Sequence, residues 1–158
     1  MANQTTNTIT SIMTYFNENK SSYKFYELSL YNEHCVSIYK SAGFLINFRV
    51  KCGLLKDINL YISGKQAKHI FDILKSKKEE LENLLGYNLV WDYNYNKEAT
   101  RIGRFFLDAK LAQGFESENK NMCYNFNVNH TNYAQKTIKE LVHFNNVMLS
   151  FLKELNLI

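Results

Sequence analysis

Between Phe44 and Lys51 the chain alternates without a break: Phe44, Ile46, Phe48 and Val50 are apolar on one parity, and Leu45, Asn47, Arg49 and Lys51 occupy the other. A period of two puts successive side chains on opposite faces, so this segment must be a half-buried strand with Arg49 and Lys51 on its wetter side. Residues 23–31, 35–40 and 57–62 read as its neighbours. The breaks at Asn32-Glu33, Ala42-Gly43 and Cys52-Gly53 have hairpin length, so the four strands form an antiparallel meander.

On either side of this block the period lengthens to that of a helix. Ile9, Ile12, Met13 and Phe16 recur at i, i+3, i+4 and i+7, which predicts a short N-terminal helix over 7–19 capped by Thr8. Ala67, Ile70, Phe71, Leu74, Leu81, Leu84 and Leu85 predict one long helix over 64–85. Ser63 and Gln66 form a capping box at its start, and Gly86 provides a left-handed stop. Strands are expected over 89–95, 100–107 and 122–128, with a polar loop over 108–120 and a last helix over 133–155. The order α-β-β-β-β-α-β-β-β-α predicts an α+β fold, an antiparallel sheet packed by two long helices and a short N-terminal one.

No linker, repeat or low-complexity block divides the 158 residues, so a single domain over 1–158 is expected. With 15% aromatic residues the chain has the means to bury a core and does not resemble a disordered one. Its apolar runs are far shorter than the ~20 residues needed to cross a bilayer, and its N-terminus lacks the pattern of a signal peptide. Cys35, Cys52 and Cys123 are odd in number and lack a CxxC spacing, which suits reduced thiols and a cytoplasmic location.

Templates for catalysis are missing from the sequence. There is no GxGxxG, no GxxxxGK[ST], no HExxH, and no Glu-x-Lys following the strand-associated Asp57 or Asp92. His34 and Cys35 are adjacent on a strand, so they face apart and do not make a nucleophile pair. No metal and no cofactor are expected. A binding constellation is what remains. The chain has three arginines, Arg49, Arg101 and Arg104, beside 16 lysines, with a net charge of +4. Arginine forks grip phosphate, and flat rings stack on bases. The candidate ligand-binding residues are therefore Arg49, Lys51, Arg101 and Arg104 for phosphate, with Trp91 and Tyr93 for stacking. Gly103, between two arginines, offers close backbone approach. Asn125, Asn127 and Asn129 form a further polar strand face. Arg101 has two readings, a phosphate anchor or one half of an ion pair with Asp92 or Glu98.

Leu60-Tyr61-Ile62, Ala67-Lys68, Phe71-Asp72, Leu74, Lys78, Gly86, Trp91 and the run Lys97-Glu98-Ala99-Thr100-Arg101-Ile102 together resemble a bacterial domain-of-unknown-function family. Members occur alone or C-terminal to restriction-type nuclease domains, often in defence neighbourhoods. The resemblance implies a fold and a defence-related setting, and no established chemistry. The function expected is a non-enzymatic binding module in bacterial or phage defence or counter-defence, holding a nucleotide or nucleic acid through its phosphates. Two other classes stand beside it: a protein–protein inhibitor or accessory subunit of a restriction or immune effector, and a nuclease or phosphodiesterase. The expected partners are a nucleotide or nucleic acid, or a protein effector, with no membrane partner and with room for a homo-oligomer.

Overall fold

A computed structural model describes residues 4–106 and 130–158. The loop expected over 108–120, the strand over 122–128, its asparagine row and Cys123 lie outside the described residues. The chain runs through helix α1 (Gln4–Glu18), a short 3-10 turn (Lys20–Tyr23), and strands β1 (Ser29–Asn32), β2 (Cys35–Ser41), β3 (Phe44–Lys51) and β4 (Leu54–Ser63). Helices α2 (Ala67–Ser76) and α3 (Lys78–Leu85), strands β5 (Val90–Asn94) and β6 (Ala99–Phe105), and helix α4 (His130–Glu154) follow. The fold is α+β.

All six strands pair antiparallel in the order β1-β2-β3-β4-β6-β5. The first four form the meander that the hairpin-length breaks require. The chain then leaves the sheet through α2 and α3, lays down β5 as the far edge, and returns as β6 between β5 and β4. Ile46, Phe48, Ile58, Leu60, Ile62 and Ile102 point to one face, where they join Ile9, Ile12 and Phe16 of α1, Leu74 of α2, Leu81 of α3, and Ile138, Leu141, Phe144 and Met148 of α4 in one apolar core.

Three expectations about the helices need correction. The segment 64–85 is two helices, broken at Lys77 with φ −109° and ψ 18°. The apolar stripe has no member between Leu74 and Leu81, so nothing anchors the intervening turn. The Ser76 hydroxyl bonds back to the Ile73 carbonyl at 2.6 Å, competing with the helix ladder there. The capping box is also absent: Ser63 ends β4, and Gln66 caps α2 without a side-chain bond. Gly86 does stop α3 in the left-handed region, at φ 89°. Thr8, finally, is inside α1 rather than at its cap. Its hydroxyl lies 2.6 Å from the Gly53 carbonyl and 3.0 Å from that of Gln4, while Thr5 Oγ1 accepts the Gly53 N–H at 3.4 Å. The two threonines thus fasten the first turns of α1 to the β3–β4 hairpin. That hairpin turns through Cys52 and Gly53, at φ 51° and 80°, the paired left-handed geometry that favours glycine. A Cβ on Gly53 would also stand 3.0 Å from Gln4 Cβ.

The first strand is shorter than 23–31 because its aromatics are drawn to the helices. Tyr23 stacks on Phe16 at 5.6 Å, and the Tyr26 hydroxyl bonds Asn146 of α4 at 3.0 Å. Among the described residues no helix is long and apolar enough to cross a membrane.

Burial along α2 predicts a graded response to truncation. Leu74 is completely buried, while Phe71 is half-buried against Trp91. Leu74→Ala should cost about 2–5 kcal/mol in urea denaturation, and Phe71→Ala distinctly less. Equal losses, or the reverse order, would mean that the face of α2 is misassigned.

Candidate functional site

The sheet face opposite the core carries a group of polar residues, three of them fully buried. Register puts them together: Asn47 stands opposite Asn59, which stands opposite Gly103; Arg49 stands opposite Asp57; Tyr61 stands opposite Arg101, which stands opposite Asp92. On the outer side of β3, Cys35 pairs with Arg49. Asn47, Asp57 and Asn59 are each 0% exposed, so each must find its hydrogen-bond partners within the protein.

They find them in one another. Asn47 and Asn59 exchange amide bonds, each Nδ2 donating to the other's Oδ1 at 3.1 Å. Asn59 Nδ2 also donates to Asp57 Oδ1. Cys35 Sγ donates to Asn47 Oδ1 at 3.3 Å. Arg49 holds the Asp57 carboxylate with its fork, Nε standing 3.1 and 3.0 Å from the two oxygens and Nη2 bonding Oδ2. Arg101 Nη1 donates to Asn59 Oδ1 at 3.2 Å, and its guanidinium lies 4.5 Å above the Tyr61 ring. Gly103 makes this layer sterically feasible. A Cβ there would stand 2.3 Å from the Ile58 carbonyl and 2.7 Å from Asn59 Cβ.

The layer is rich in positive charge. Burial, then the nearby Arg49 charge, pushes the Arg101 guanidinium below its ordinary pKa. Burial and the same arginine also lower Lys56. Burial raises the Cys35 thiol to about 11, although both arginines pull it down. At neutral pH Cys35 is therefore a protonated donor and not a nucleophile. Two depressions open beside the layer. One, of about 330 Å³, is bounded by Thr5, Glu33, His34, Arg49, Lys51 and Lys56. The other, of about 240 Å³, is bounded by Arg49, Tyr61, Asp92, Lys97, Thr100 and Arg101. Among the described residues no three His, Cys, Asp or Glu side chains gather closely enough to hold a metal ion.

A family model matches residues 10–142, the greater part of the chain. The chain belongs to DUF4268, a family described as a domain of unknown function. Neither a curated protein nor a solved structure gives a significant match. In this DUF4268 domain the matched span runs from within α1, through the whole sheet, into α4.

The six candidate residues fall on two sides of the sheet. Arg49 and Arg101 meet on the polar face, and Lys51 lines the larger depression at the end of β3. Trp91 and Tyr93 stand opposite Ile102 and Thr100 and project to the helix side. There both rings contact Phe71, at 5.9 and 5.6 Å, with Lys75 over Trp91 and Lys68 over Tyr93. Arg104 is also on the helix side, 8% exposed, paired with Glu140 of α4 at 2.8 Å and lying over the Tyr87 ring at 4.3 Å. The room beside Gly103 is filled by Asn59, not left for a ligand. Among the described residues no ion pair joins Arg101 to a carboxylate; its partners are Asn59 and Tyr61.

Residues that sequence reasoning did not place in the site are Asp57, Asn59 and Lys56. Their signal was present as Asp57-x-Asn59-x-Tyr61, a second period-two row of polar side chains matching Asn47-x-Arg49.

The thiol supplies a pH test. Cys35 has a folded pKa of about 11 against an ordinary 9.0. The unfolded chain therefore ionises first, and the stabilisation is complete below about pH 9 and lost as pH rises towards 11. The wild type should lose roughly 1–2 kcal/mol more than Cys35→Ser over that interval. Parallel curves would show that the thiol is not buried as described. Peptide mapping after iodoacetamide treatment at neutral pH should find exposed Cys52 labelled and Cys35 protected.

Proposed function

We propose that the polar sheet face is a non-enzymatic binding site for a phosphate-bearing ligand, a nucleotide or nucleic acid, and that the protein acts in bacterial or phage defence or counter-defence. One observation carries the binding reading: Arg49 and Arg101 line the same depression, and the buried carboxylate of the layer, Asp57, is already engaged by Arg49. Two cations that line one depression raise each other's free energy, and an anion between them relieves it. Their orientation is fixed by Asp57, Asn59 and Tyr61, so little side-chain entropy is lost on binding. Arg101 leaves Nε and Nη2 without a protein partner among the described residues, two donors free for a phosphate. The defence setting rests on the family resemblance alone.

A specific feature favours a second reading, an accessory or inhibitory protein that docks on a protein effector. Phe25, ahead of β1, is 86% exposed, and Leu30 and Tyr31 within β1, an edge strand, are 58 and 51% exposed. Exposed apolar side chains next to unpaired strand groups suit a protein interface.

Arg101→Lys separates geometry from charge. Against a fluorescent nucleoside triphosphate and a short fluorescent single strand, the variant should bind at least about tenfold more weakly, a change of ~1.4 kcal/mol, while keeping its secondary structure. Unchanged affinity in a folded variant would remove Arg101 from the site. Failure of the wild type to bind either probe would favour the protein-effector reading, to be tested by co-elution with restriction or immune nucleases.

A further inference from the structure

The cations on the polar face extend farther than one phosphate can reach. Arg101 is at the level of Leu45 in the register, Arg49 lies four residues farther along the same axis, and Lys51 two beyond that. At about 3.3 Å per residue the three levels span roughly 20 Å of sheet. The two depressions divide this track, and Arg49 is the residue that lines both. Each has its own cations, Lys51 and Lys56 in the larger and Arg101 and Lys97 in the smaller. Over the two linings, five cationic side chains face two carboxylates, Glu33 and Asp92.

Arg49 is built to serve both sides. Asp57 engages its Nε and Nη2, which fixes the plane of the guanidinium, and its Nη1 has no hydrogen-bond partner among the described residues. The smaller depression offers flat surfaces for a base, the Arg101 guanidinium plane and the Tyr61 ring beneath it. The larger has its own volume of about 330 Å³ and a positive floor, enough for a second nucleotide.

On the footing of the proposed function, we infer that the two depressions are adjacent nucleotide subsites bridged by Arg49, so that the ligand is a phosphodiester-linked dinucleotide unit rather than a single nucleotide. A free dinucleotide and a stretch of single-stranded nucleic acid both present this chemistry. Lys56 and Arg101 are each pushed below their ordinary pKa by burial and then by the Arg49 charge, which agrees with an anion that runs past all three.

Calorimetric titration of the full chain with a nucleoside monophosphate, a 5′-phosphorylated dinucleotide and a longer single strand tests this. The dinucleotide should bind at least about tenfold tighter than the monophosphate, a gap of ~1.4 kcal/mol. In the Lys51→Gln/Lys56→Gln double variant the dinucleotide should lose more affinity than the monophosphate, so that the gap narrows, with folding confirmed by circular dichroism. Arg101→Lys should weaken both ligands together. Equal affinity for the two in the wild type, or an equal loss for both in the double variant, would overturn the bridged site while leaving the phosphate-binding reading in place. No binding of any nucleotide would overturn both. A single strand that binds more tightly than the dinucleotide, with affinity falling steeply in salt, identifies a nucleic-acid chain as the source. Equal affinities identify a free dinucleotide.

Discussion

The reciprocal amide pair between Asn47 and Asn59 is the interaction on which the polar face depends. It joins two central strands at a point with no contact with water, and each amide is also a connection to something else. Asn47 accepts from Cys35, while Asn59 donates to Asp57 and accepts from Arg101. A carboxylate as buried as Asp57 costs several kcal/mol unless it is paired and hydrogen-bonded. Arg49 and Asn59 meet that requirement together. Removing Asn59 would take a hydrogen bond from three groups at once, Asn47, Asp57 and Arg101, and a partly satisfied buried network is strongly unfavourable.

Gly103 is the backbone counterpart of that pair. Strand β6 can lie beside β4 at Asn59 because position 103 carries no side chain. An alanine there would collide with backbone, which cannot rotate away. The sheet's centre therefore has two faces with different rules. The helix side tolerates exchange among apolar residues of similar volume. On the polar side, side-chain identity is set by hydrogen-bond direction.

The strands were legible because alternation is a local property. Phe44 to Lys51 declares its two faces without reference to any partner. The helices were legible in their stripes but not in their ends, since the break at Lys77 depends on what α2 and α3 each pack against. Arg101 and Arg104 are three residues apart on one strand, so parity alone puts them on opposite faces. Grouping them as one phosphate grip overlooked that rule. Trp91 and Tyr93 are a different case, because only the pairing of Asp92 with Arg101 reveals which face β5 presents to the helices. Asp57 and Asn59 read as ordinary wet-face residues until their cross-strand partners are known. The asparagine layer is in that sense a tertiary feature written in a secondary-structure pattern.

The fastening of α1 to the Cys52–Gly53 hairpin has a dynamic consequence. Helix ends fray because their first amides lack partners within the helix, yet Thr5 and Thr8 tie this end to the turn that closes β3 onto β4. Thr5 also forms part of the wall of the larger depression. Opening of the helix start would therefore release the hairpin and one wall of that depression together. On the proposed reading, a ligand at the far end of the cationic track should slow amide exchange in the first turns of α1.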